Sequence, residues 1–266
     1  MDNEGTYRVG TERYKLSTTL TSCPQLEGFD RLAESRQLLR STNVGSRLPA
    51  APDYRPNFVK QKRTKTVVGI DLAGSPKRPT GACTLRGRSA SHITELSSDK
   101  EILRYLNDRQ PDLVAIDAPL SLPPGRRSIH DRNGRHLRVC DVELQRRGIR
   151  FFPITLGPMR MLTERGIHLM RRIEKIRMKV IEIYPGGAQD VWNIPRKQGG
   201  LERLHRSLEE LGIKGLSKGI TGDELDAVSA AIVGNLFLRG KAEVYGAFGQ
   251  GTIVMPKRRK TKGDIL

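Results

Sequence analysis

The chain has 266 residues, of which 36% are hydrophobic, and carries a formal net charge of +18 with a pI near 10.3. That length suits one large domain or a domain with appendages, and the lean apolar content puts part of the chain outside any core. So strong a positive field favours polyanionic partners, most simply nucleic acid, whereas an aromatic content of 5% excludes extended base-stacking platforms and leaves phosphate contacts to dominate.

Residues 1–65 are polar and lack a sustained period, so they read as a flexible or loosely docked leader. Within it, Gln25–Arg40 has the spacing of one short helix, with Leu26, Phe29 and Leu32 on its apolar side. The basic run Lys60–Lys65 is a further candidate for phosphate contact. The cysteines Cys23, Cys83 and Cys140 stand far apart in the chain, with no CxxC or Cys/His grouping. This spacing argues against structural zinc and a disulfide framework and fits a reducing compartment. With neither an apolar leader segment nor a run of 18 apolar residues, a soluble, cytoplasmic protein without a membrane partner is expected.

Val67-Val68-Gly69-Ile70 reads as a buried strand, and Asp71 breaks its apolar pattern at the far end. A turn over Ser75–Gly81 and a returning strand, Ala82–Leu85, complete a hairpin with a carboxylate at its mouth. Ser91–Leu96 has the pattern of a third strand, and Lys100–Asn107 that of a helix capped by Ser98 or Asp99. Leu113–Ile116 repeats the first motif, an apolar strand closed by an acid, Asp117. If the two strands are parallel neighbours, both carboxylates meet at one edge of one sheet.

From Gly125 to Lys179 there are 15 Lys and Arg against 5 Asp and Glu, a net charge of +10. A short helix is predicted from Cys140 to Gly148, and a longer amphipathic one over Met161–Lys179. In the longer helix Met161, Leu162, Ile167, Met170, Ile173 and Ile176 are assigned to the apolar side, with Arg165, Arg171, Arg172, Lys175 and Lys179 opposite. Arg126, Arg127, Arg165, Arg171, Arg172 and Lys175 are the candidate nucleic-acid-binding residues.

Val180–Tyr184 reads as another strand, ending in a proline-glycine turn. Its Glu182 points away from Ile181 and Ile183, and either joins the acids as a further metal ligand or pairs with an arginine. Leu201–Leu211 has helical spacing. Thr221 and Glu224 have capping-box spacing at the start of a helix reaching Leu238. Asp223 and Asp226 share a face of its first turns, and Ala227, Ala230 and Gly234 continue near that face, small enough to lie close to a sheet. Ala242–Phe248 is a candidate final strand, Thr252–Met255 is apolar, and Pro256–Lys262 is a basic tail.

Asp71, Asp117, Asp223 and Asp226 thus form a candidate catalytic set, because acids crowded together raise one another's pKa unless a cation relieves them. Mg²⁺ or Mn²⁺ suits an all-carboxylate site and can activate water for phosphodiester cleavage. The motifs Gly69-Ile70-Asp71-Leu72-Ala73-Gly74, Ala115-Ile116-Asp117-Ala118-Pro119-Leu120, Glu182-Ile183-Tyr184-Pro185 and Asp223-Glu224-Leu225-Asp226-Ala227 resemble, in that order, the family called domain-of-unknown-function 429. Members of that family are described as predicted nucleases with a ribonuclease-H-like fold. The last motif also resembles the final catalytic helix of Holliday-junction resolvases in the same superfamily. The resemblance implies an α/β protein with a central mixed β-sheet and helices on both faces, spanning 66–255, with the basic helical segment at 125–179 as an insertion. It also implies Asp71, Asp117, Asp223 and Asp226 as metal ligands. The leader and the tail at 256–266 lie outside it. Two other readings stay open: a nucleic-acid-binding protein without catalysis, and an actin-like ATPase or sugar kinase, for which no second glycine-rich phosphate loop is found.

Overall fold

The side chains of a strand alternate between the two faces of its sheet, so the parity of each residue decides which core it serves. The computed structural model describes residues 63–75, 77–247 and 250–258. The helix expected over 25–40 and the tail beyond 258 lie outside the described residues.

Strands β1 (Thr66–Asp71), β2 (Thr80–Arg86), β3 (Ser89–Leu96), β4 (Leu113–Asp117) and β5 (Val180–Glu182) form one sheet in the order β3-β2-β1-β4-β5. The first three are mutually antiparallel, and β4 and β5 run parallel to β1. This is the mixed sheet, antiparallel then parallel, that the resemblance implied.

Val68 and Ile70 of β1, with Val114 and Ile116 of β4, face one core. They pack on Ile102, Tyr105 and Leu106 of α1 (Asp99–Arg109) and on Leu169 and Ile173 of α3 (Gly157–Lys175). Val67, Leu113 and Ala115 face the other way, into a core built with α4 (Pro185–Trp192), α5 (Leu201–Glu210) and α6 (Gly222–Leu238). Helices therefore cover both faces. A hairpin of β6 (Ala242–Gly246) and β7 (Thr252–Pro256) packs its Tyr245, Ile253 and Met255 on Cys140 and Leu144 of α2 (Val139–Arg146). It joins the main sheet's edge through a parallel bridge between Ile183 and Val254.

Two elements differ from expectation. Pro185-Gly186-Gly187 opens α4 instead of forming a turn, because a proline in the first helical turn loses only an N–H that has no partner there anyway. Helix α3 begins at Gly157 and ends at Lys175, and Arg177, at φ +62, breaks it before β5. Its buried side is Thr163, Gly166, Leu169 and Ile173, spaced three, three and four apart. Met161 and Ile176, assigned to the apolar side, are exposed.

Helix α6 lies unusually close to the sheet. A Cβ on Gly69 would stand 2.0 Å from the Ala227 carbonyl oxygen, and one on Gly81 would stand 2.1 Å from that of Asp223. Both neighbours are helix backbone and cannot rotate aside as a side chain would. The helix start is fixed by a complete capping box, in which Thr221 Oγ1 accepts from Glu224 N and Glu224 Oε2 accepts from Thr221 N. Gly69→Ala is therefore expected to destabilise the protein by about 3 kcal/mol or more, the upper part of the overpacking range. Chemical denaturation monitored by circular dichroism checks this, with Gly134→Ala, whose Cβ would meet nothing within 4 Å but whose φ is +72, as a strain-only control.

Candidate active site

In the parallel pair β1 and β4, Val67 lies opposite Leu113, Gly69 opposite Ala115, and Asp71 opposite Asp117. The odd residues of both strands face α6, so the two acids that end the strands sit side by side on the α6 face. Asp223 and Asp226, in the first two turns of α6, complete the group from above. Four carboxylates derived from three elements thus share one end of the sheet.

Their charge is met by a residue that the sequence motifs do not contain. Lys197, in a single 3₁₀ turn (Lys197–Gly199), places Nζ 3.1 Å from Asp71 Oδ2, 2.7 Å from Asp223 Oδ1 and 2.9 Å from Asp226 Oδ2. The preceding Arg196 holds this turn in place. It donates to Asp190 Oδ1 at 2.9 Å and to the Tyr184 hydroxyl at 2.9 Å, and Tyr184 in turn donates to the Arg150 carbonyl. On the far side of Asp226, Gln189 Nε2 of α4 donates to Oδ1 at 2.7 Å and to Ser229 Oγ at 3.1 Å. Asp226 is thereby held at both oxygens, with Oδ2 toward the centre.

Burial pushes Asp71 up to about 7; Lys197 opposes this, while Asp226 and Asp223 add to it. Burial, followed by the charges of Asp71 and Asp226, raises Asp117 well above the usual carboxylate range. For Lys197 burial works toward a lower value, but Asp71 and Asp226 outweigh it and hold the ammonium protonated. One ammonium thus serves three acids, and Asp117 is left with none of it within ion-pair distance.

This donor set bears on whether a metal fits. All four side chains offer carboxylate oxygen, the preference of Mg²⁺ and Mn²⁺. Three of them already converge on one cationic atom. Among the described residues, no group of three or more His, Cys, Asp or Glu side chains is arranged around a common point as if to hold a metal. The acids close on the ammonium instead. The donor chemistry suits a divalent cation, while the point on which Asp71, Asp223 and Asp226 converge is taken by the Lys197 ammonium.

Glu182 is not part of this centre. In the register of β5 against β4 it pairs with Ile116, and so points to the opposite face from Asp117. There Arg138 Nη1 donates to Glu182 Oε2 at 2.7 Å and Nη2 to Oε1 at 2.8 Å, and Leu120 N donates to Oε2 at 2.8 Å. Arg138 also grips Asp141 through Nε at 3.0 Å and Nη2 at 2.8 Å. Of the two readings of Glu182, the arginine pair is the one realised, and its oxygens are already taken. The buried ion triad fixes the loop that follows Asp117.

The basic residues divide in the same way. Arg165, expected on the polyanion surface, has a side chain only 9% exposed, paired with Asp99 and donating to the Ala73 carbonyl. It pins the turn after Asp71. Arg126 likewise spends its guanidinium on the carbonyls of Arg135, Ile129 and Asp131. Arg127, Arg171, Arg172 and Lys175 are exposed. Arg127 and Arg171 line a surface groove of about 420 Å³ with Ser128 and His168, and Leu120 and Ser121 of the post-Asp117 loop also line it.

An α/β protein with a carboxylate-lysine centre at the end of its central parallel strands is the class defined by fold and site. The chain matches the family described as "Protein of unknown function (DUF429)" over residues 69–248, more than half its length, and belongs to that family. The match runs from β1 through α6 and takes in every acid of the centre. No curated protein matches the chain. Among the described residues no helix is long and apolar enough to cross a membrane.

Because the folded-state pKa of Asp71 is raised, the folded chain binds more protons than the unfolded chain between the ordinary value of 3.8 and about 7. Its contribution to stability is therefore present at low pH and lost as pH rises through that window. Asp71→Asn is expected to match the parent near pH 4 and to exceed it at pH 8 without divalent metal. At about 2–4 °C per kcal/mol the gap should be a few degrees, read by thermal melts in chelator. At the triad, Arg138→Met leaves two buried carboxylates uncompensated and is expected to cost about 3–5 kcal/mol, measured by denaturant unfolding.

Proposed function

We propose that the protein is a metal-dependent nuclease with a ribonuclease-H-like fold, hydrolysing phosphodiester bonds of DNA or RNA. The observation that carries this reading is the convergence of Asp71, Asp117, Asp223 and Asp226 at one sheet end, with three of them on a single cation. Mg²⁺ or Mn²⁺ held by these four would supply charge neutralisation and a water of lowered pKa. The chain's own residues do the rest. Gln189 fixes the rotation of Asp226. Lys197, a point charge on a flexible stem, exchanges the acids for a phosphate oxygen when the centre is otherwise neutralised. Arg127, Arg171, Arg172 and Lys175 hold the backbone by phosphate contacts, so binding falls steeply with salt. Residues 1–65 and 256–266 are appendages to this catalytic unit, and the scattered cysteines are consistent with a reducing compartment such as the cytoplasm.

One observation favours a second reading, a nucleic-acid-binding protein without catalysis. The Lys197 ammonium already pairs with Asp71, Asp223 and Asp226, so three of the four acids have a cationic partner without any metal. A single set of assays separates the two readings. Single-stranded, duplex, junction and hybrid substrates are incubated in Mg²⁺ or Mn²⁺ with the parent, Asp71→Asn and Asp117→Asn. Cleavage by the parent that drops at least about 100-fold in both variants supports the nuclease. Tight, salt-sensitive binding by a parent that cuts none of them supports the binder and sinks the nuclease.

A metal readout independent of turnover accompanies this test. Mg²⁺ or Mn²⁺ at pH 8 is expected to raise the melting temperature of the parent and to do so less in Asp117→Asn. At metal concentrations about 100-fold above Kd the gain is about 2.7 kcal/mol. An equal shift in both proteins places the metal elsewhere.

A further inference from the structure

We propose that a cavity beside Asp117 receives one unpaired nucleobase of the strand whose phosphate lies at the acids; this rests on the nuclease reading and names its substrate class. The cavity has a volume of about 150 Å³. That is roughly the size that holds one benzene-sized ring, and charged side chains join the apolar walls, so the space suits one planar ring with polar edges and not a peptide segment. Its walls are Phe151, Phe152, Ile154, Leu162 and Tyr184, with Asp117 on one side and the buried Arg138–Glu182–Asp141 triad on another.

Three observations identify the occupant. Asp117 belongs both to the acid centre and to the cavity wall, so a base in the cavity and a phosphate at the acids can belong to one strand. The loop after Asp117 contributes Ala118 and Pro119 to the cavity and Leu120 and Ser121 to the groove of Arg127 and Arg171. Groove and cavity are thus lined by consecutive residues of one loop. Finally, Phe152 is 70% exposed although it is a full phenyl ring at the edge of an apolar space. A ring left in water beside a cavity has an unused face, and a base stacks on such a face whatever its sequence.

The aromatic count sharpens this. The chain has only six Phe, six Tyr and one Trp, and Phe151, Phe152 and Tyr184 all line this one cavity. That composition excludes a stacking platform for many bases and is compatible with a pocket for one. A paired base would have to leave its duplex to enter, at the cost of unstacking. Single-stranded, looped or mismatched nucleic acid is therefore the favoured substrate class.

The test is binding by fluorescence anisotropy in Mg²⁺, in an Asp71→Asn background that blocks turnover. Three labelled probes of equal length are used: a mixed-sequence single strand, the same strand with every base replaced by an abasic residue, and the blunt duplex. Phe152→Ala is expected to weaken the base-bearing single strand about tenfold and to leave the abasic strand and duplex unchanged, and Phe152→Trp to restore the affinity. Because Phe152 is mostly exposed, the variant is expected to keep the parent's circular dichroism and melt. If Phe152→Ala changes base-bearing and abasic strands equally, or neither, the pocket is wrong. Cleavage by the parent alongside that outcome leaves the nuclease standing without its pocket. Failure of the parent to bind any probe overturns both.

Discussion

Four carboxylates can share one buried sheet end only where protons or a cation relieve their charge, and that electrostatic requirement organises this molecule. Register brings Asp71 and Asp117 side by side, and the capped start of α6 brings Asp223 and Asp226 over them. Burial disfavours the charged form of Asp71 and Asp117, and the neighbouring acids add to it, so both hold their protons above the usual carboxylate range. Among the described residues, Lys197 is the cation that ion-pairs with three of them. The 3₁₀ turn that carries it, the Arg196 brace behind that turn, and Gln189 behind Asp226 all follow from the need to hold that charge in place.

The same geometry depends on backbone packing. Helix α6 contributes two acids only because Gly69 and Gly81 let its first turns lie directly on β1 and β2. A side chain at either position would lift the helix and open the acid group. The opposite end of the loop system is fixed by charge instead of packing. Arg138 is matched by Glu182 and Asp141 in a buried triad, and the chain after Asp117 is tied to it through Leu120 N. Packing on one side and ion pairing on the other together position the C-terminal end of the central strands.

Much of this was legible in the sequence because it depends on local pattern. The strands ending in Asp71 and Asp117, the capped helix from Thr221, and the small residues near its acid face are all one-dimensional signals. Parity even contains the placement of Glu182: it lies out of phase with Ile181 and Ile183, and the β4–β5 register then sends it away from Asp117. The basic segment was harder. Its charge count was readable, but whether a given arginine faces water or a carbonyl was not, and Arg126 and Arg165 turned inward where Arg171 and Arg172 did not. The buried side of α3 is the stripe of Thr163, Gly166, Leu169 and Ile173; Met161 lies off that stripe and Ile176 follows the helix's last residue, so the apolar character of these two does not decide their burial.

Lys197 marks the boundary between the two kinds of knowledge. In the sequence it is one lysine in Arg196-Lys197-Gln198-Gly199-Gly200, a stretch outside all four motifs that carry the family resemblance. Nothing local distinguishes it from the 46 other Lys and Arg residues, 47 in all less one. The sequence by itself determined the acids, their elements and the family, because strand parity and helix capping are set by neighbours in the chain. Only the tertiary structure decided which cation meets those acids, since that contact joins residues 126 positions apart. A short-range Coulomb interaction between groups so distant in sequence exists only once the sheet, α6 and the 3₁₀ turn are assembled around it.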